Sequence, residues 1–82
     1  MVFFPWISIA STEYGVVLLD KKKGVYWQVN GTGALIVDGI KKNMASDEIA
    51  NVLVEAFDVD FQRAHEDVMY LVSELAEFGI VK

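Results

Sequence analysis

With 82 residues, a net charge of −5 and no cysteine, this chain is sized for one domain, over residues 1–82, held together by packing alone. Disulfides, thiolate metal sites and a cysteine nucleophile are excluded. Seven Lys and Arg against twelve Asp and Glu cannot build the counterion-displacing surface that nucleic acid requires, so no nucleic-acid partner is expected.

The first strand is expected over Phe3–Ile9, a run of aromatic and β-branched residues. Pro5 cannot donate to a ladder, which makes this an edge or irregular strand. Ser11-Thr12-Glu13 reads as the connection. Tyr14–Leu19 is apolar throughout and too short for a good helix, so it forms the second strand. Asp20-Lys21-Lys22-Lys23-Gly24 is a hairpin loop: Asp initiates turns, Gly24 supplies the left-handed closing residue, and the lysines keep the tip solvated. Val25–Val29 then alternates, with Val25, Trp27 and Val29 on one face and Tyr26 and Gln28 on the other.

Asn30 can cap the helix that follows, with Thr32 as the competing cap. Ala34, Leu35, Val37 and Ile40 give this first helix its apolar stripe, and Gly39 and Asn43 loosen its end. Ser46 is the expected cap of a second helix, with Asp47 and Glu48 favourably placed at the positive end of its dipole. Ile49, Val52, Leu53, Ala56 and Phe57 are its apolar positions. After a bend at Asp58-Val59, Asp60 caps a third helix running from Phe61 to Phe78 and stopped by Gly79. Its buried stripe is Phe61, Ala64, Val68, Leu71, Val72, Leu75 and Phe78. Ile80-Val81 return to the core.

Three strands followed by three helices predict an α+β fold: a three-stranded antiparallel sheet packed on a helical trio, winged helix-turn-helix-like overall. Catalytic chemistry is missing. His65 is the only histidine, reads as part of a solvated helix face and has no second His or Cys to complete a zinc site. Gly31-Thr32-Gly33 lacks both the Lys-Ser/Thr of a P-loop and the dinucleotide fingerprint. The carboxylates are caps and solvated faces, not a paired acid and base. No enzyme activity, no cofactor and no metal are expected. No apolar run reaches the roughly 18 residues of a membrane span. Met1–Ala10 lacks the basic start of a secretory signal, so a cytoplasmic protein is expected.

The ordered set Leu18-Leu19-Asp20, Gly24-Val25-Tyr26-Trp27-Gln28-Val29-Asn30 and Thr32-Gly33-Ala34-Leu35-Ile36 resembles the PqqD-like family. These are small leader-recognition domains of ribosomally synthesised, modified peptide pathways. Ser46–Ala50, Asp67–Leu71 with Leu75, and Gly79-Ile80-Val81 continue the resemblance over nearly the whole chain. Two positions depart from the family pattern: Val29 stands where Leu is usual, and Val37 where Trp is common. The Pro-Glu-Arg-like hairpin segment of the stand-alone pyrroloquinoline quinone protein is replaced by Asp20–Gly24 and the pair Tyr26-Trp27. In this the chain looks more like the discrete leader-binding proteins of lasso peptide clusters.

The resemblance implies that a precursor leader peptide adds as a strand to the edge of the third strand, beside the third helix. The bound leader would be presented to a separate cysteine protease, the leader peptidase. Val25, Tyr26, Trp27 and Gln28 would supply backbone partners. Tyr26, Trp27 and Tyr70 would form an apolar pocket, and Arg63, Glu66 and Asp67 a polar rim. Trp27 divides between pocket and core, Tyr70 between pocket and helix cover, and Asp67 between rim and plain surface charge. Alternatives are a peptide chaperone of another modified-peptide pathway, or a winged-helix protein with a different partner.

Overall fold

The computed structural model describes residues 1–82. Strands β1 (Ile7–Thr12), β2 (Gly15–Asp20) and β3 (Val25–Val29) are followed by helices α1 (Thr32–Lys41), α2 (Ser46–Phe57) and α3 (Phe61–Glu77). The sheet is antiparallel in the order β1-β2-β3, so β2 is central and the outer edge of β3 has no strand beside it. One face of β2 is buried through Val16, Leu18 and Asp20. Val16 and Leu18 meet Ile36, Val37 and Ile40 of α1, Ile49, Ala50 and Leu53 of α2, and Ala64, Val68 and Leu75 of α3 in the core.

The hairpin loop between β2 and β3 forms as its residues dictate. Asp20 is buried, and its Oδ1 accepts from the backbone N–H of Lys22 at 2.9 Å and of Lys23 at 3.1 Å. Charge-assisted bonds to turn amides thus replace the water that burial removes. Gly24 closes the loop at φ 70° and donates its N–H to the Asp20 carbonyl at 2.8 Å.

The first strand begins and ends later than its composition suggests. Ile7 donates to the Phe4 carbonyl at 3.1 Å, turning the chain over Pro5 and Trp6, and only then does pairing with β2 begin. Ser11 and Thr12 belong to β1, because the hairpin to β2 is tight: Thr12 Oγ1 accepts from Tyr14 N–H at 3.2 Å. Phe3 instead pairs with Val81 in an isolated bridge. Ile80 and Val81, both buried, thereby tie the last residues to the first.

Two helix caps also differ from expectation. Gly31, at φ 55°, is the N-cap of α1, and neither Asn30 nor Thr32 provides a side-chain cap. Ser46 is already helical. Ala45 is the N-cap of α2, and Glu48 Oε1 reaches back to accept the Ala45 N–H at 2.8 Å. Asp60 caps α3 as expected, accepting from the Arg63 N–H at 2.9 Å.

Apolar stripes are shifted in detail. Ile36 is fully buried in α1, while Ala34 and Leu35 are half-buried. In α2, Ala50 is buried, whereas Ala56 and Phe57 face solvent near the turn into α3. At the ends of α3, Phe61 and the C-cap Phe78, one residue past the helix, remain 44% and 46% exposed. Gly39 does not loosen α1. It is a close-approach point, where an added Cβ would lie 2.6 Å from Ile49 Cγ1, so glycine lets α1 and α2 touch. His65 is half-buried, stacked on Phe61, with Nε2 3.3 Å from Asp47 Oδ1. It links α3 to the start of α2.

Candidate functional site

A groove of about 190 Å³ opens between β3 and α3. Leu18 and Ile80 lie deep in it. Trp27, Gln28 and Val29 form the sheet wall, and Leu71, Glu74, Leu75 and Phe78 the helix wall. Strand alternation explains the sheet wall: Trp27 and Val29 share the core-facing side with their cross-strand partners Leu18 and Val16. Helical spacing explains the other wall, since residues 71, 74, 75 and 78 recur at the three- and four-residue steps of one helix face. The Trp27 and Phe78 rings meet at 5.8 Å between centroids, tilted by 39°, and close one end. Val29 and Leu71 both approach Gly33 at the other, beside the start of α1. Glu74 is the one ionisable side chain of the lining.

Two features of this arrangement act together. The free edge of β3 offers unpaired N–H and C=O groups, a template for another strand. Directly beneath lies an apolar opening that can receive alternate side chains of such a strand.

The expected site residues separate into three places. Trp27 and Gln28 line the groove. Val25 and Tyr26 lie on the same edge strand, but Tyr26 projects from the opposite face and is 70% exposed, so it builds no pocket with Trp27. On α3, Tyr70 is 69% exposed and outside the groove lining, because one residue before Leu71 is about 100° around the helix. Arg63 and Asp67 form an exposed pair at 3.7 Å, and Glu66 accepts from Gln62 at 3.5 Å. None of these reaches the groove lining. Of the other groove residues, sequence reasoning reads Leu71, Leu75, Phe78 and Ile80 as core, gives Leu18 and Val29 strand positions without a site role, and does not single out Glu74. The signal for the apolar ones on α3 is a stripe that continues to Phe78, at the end of the helix.

No cluster of three or more His, Asp or Glu side chains is positioned to hold a metal ion. No helix is long and apolar enough to cross a membrane.

The result is an α+β, winged helix-turn-helix-like fold with an open sheet edge above an apolar groove. The family model described as Coenzyme PQQ synthesis protein D (PqqD) matches residues 15–81, and the chain belongs to this family. Among solved structures it is similar to "Lasso peptide synthetase B1 complexed with the leader peptide", at 39% identity and a TM-score of 0.90, over 98% of this chain and 94% of that one. It shares its fold with "TbiB1 in Complex with the TbiA(beta) Leader Peptide", at 21% identity and a TM-score of 0.93, over 100% and 95% of the two chains. No curated protein matches it.

Proposed function

We propose that residues 1–82 act as one binding domain that captures the leader of a ribosomally made precursor peptide by strand addition. The acceptor is the outer edge of β3, where Val25, Tyr26, Trp27 and Gln28 supply main-chain partners. Trp27, Val29, Leu71 and Phe78 receive the inward side chains. Arg63, Glu66, Asp67 and Tyr70 form a polar flank further along α3, touched by whatever part of the leader runs past the groove. The role is one of capture and presentation, without catalysis: the bound leader is handed to a separate cysteine protease of lasso peptide biosynthesis, in the cytoplasm.

The observation that carries this reading is the unpaired β3 edge above an apolar groove, in a chain 39% identical to a lasso peptide synthetase B1 whose structure holds a leader peptide. Main-chain pairing supplies affinity that tolerates sequence change, and the groove supplies selection. The test is a fluorescence-anisotropy titration with the labelled leader peptide of that solved complex. Saturable binding at micromolar concentration or below is expected, lost when the peptide's apolar anchors are replaced by Asp. Absence of binding to this leader and to a panel of lasso leaders overturns the reading.

A further inference from the structure

Two cross-strand rows on the face of the sheet turned away from the helices hold no charged side chain. Pairing places Ser8, Leu19 and Tyr26 in one cross-strand row, and Ala10, Val17 and Gln28 in the next. In a chain with 23% charged residues, these adjacent outward positions hold none. Tyr26, at the open end of its row, is 70% exposed. Its ring is no part of the groove, which takes Trp27 and Val29 from the inward side of the same strand and only Gln28 from the outward row.

We propose that Tyr26 is a second specificity determinant, reading the bound leader on the face opposite the groove. This rests on strand addition at β3. A strand laid against that edge continues both rows, because side chains alternate between faces with a period of two. Inward residues of the leader enter the groove, and one outward residue comes directly across from Tyr26, at a Cβ separation of about 4.5–5.5 Å. An aromatic ring in that position favours an aromatic or β-branched neighbour over a small one. The leader is thus selected on alternate residues by two different surfaces, the groove and the Ser8-Leu19-Tyr26 row.

A double-mutant cycle tests this with the labelled leader of the lasso peptide synthetase B1 complex as probe. Each leader residue is replaced in turn by Ala and titrated against the wild-type chain, Tyr26→Ala and Leu71→Ala. Tyr26→Ala is expected to weaken binding by about two- to five-fold, with Tyr26→Phe near wild type. Its effect should vanish against one leader variant, at a position of opposite parity to those that couple with Leu71→Ala. Tyr26→Thr, a good strand former, serves in place of alanine if the melting temperature drops. Unchanged affinity in folded Tyr26→Ala or Tyr26→Thr, or coupling of residues 26 and 71 to leader positions of the same parity, overturns the proposal alone. Failure of the wild-type chain to bind overturns the strand-addition reading and the proposal with it.

Discussion

Trp27→Ala is expected to lower leader affinity by about 30-fold or more, the loss that follows removal of a buried Trp anchor worth about 2 kcal/mol or above. The side chain stands at the one point where sheet, groove and core meet. It is half-buried, opposite Leu18 across the strands, and in ring contact with Phe78. Truncation takes the indole out of the sheet wall, leaving Gln28 and Val29 there, and leaves Phe78 without its aromatic neighbour. Trp27 also packs against the core, so the same variant loses stability. Phe78→Ala separates the two, because that ring is 46% exposed and contributes less to folding. It is expected to weaken binding by about tenfold, as a truncated apolar anchor does, with a smaller fall in melting temperature. Anisotropy titration of both variants beside thermal melts reads both quantities. Wild-type affinity in folded Trp27→Ala would remove the groove from the binding site.

Leu18→Ala is expected to destabilise the chain by about 2–5 kcal/mol, the usual cost of a large-to-small change at a fully buried position. Leu18 is 0% exposed and sits on the central strand, where it is both core and the deep surface of the groove. Strands on both sides fix its backbone, so the site has little freedom to collapse around the missing atoms. For a domain of this size, each kcal/mol moves the melting temperature by about 4–8 °C. Against a typical total of about 5–15 kcal/mol, the variant should be far closer to unfolding. Urea unfolding followed by circular dichroism measures the change, and a loss below about 1 kcal/mol would show that Leu18 is not the packing centre of the sheet.

Local chemistry was the part of this structure that could be read from residues alone. The Asp20–Gly24 loop, the alternation of Val25–Val29 and the Asp60 cap each depend on neighbours within a few positions, and each forms as read. What depended on distant partners was not legible. Phe3 leaves the first strand because its partner is Val81, at the far end of the chain. Gly39 reads as a weak point by its type alone, but Ile49, ten residues on, packs against it. One local feature departs from this division: Ala45, not Ser46, is the cap of α2, because the Glu48 carboxylate three residues on satisfies its N–H.

The site shows the same division. Periodicity identifies the apolar side of α3 but not what covers each part of it, so Leu71, Leu75 and Phe78 read as core although they also line an open groove. Tyr26 and Tyr70 are aromatic and adjacent to groove residues in sequence. Strand alternation and helix rotation turn both away from the opening. Adjacency along the chain is a poor guide to a shared pocket when the two walls come from a strand and a helix.

Residue-resolved amide hydrogen exchange, on the free chain and on the chain saturated with the lasso leader, tests strand addition most directly. Added-strand pairing should slow exchange at alternate amides within Val25–Val29, those whose N–H groups point to the open edge, and leave the outer edge of β1 unchanged. Unaltered exchange throughout β3, with new protection confined to Ile7–Thr12 or to the exposed side of α2 and α3, would contradict the account.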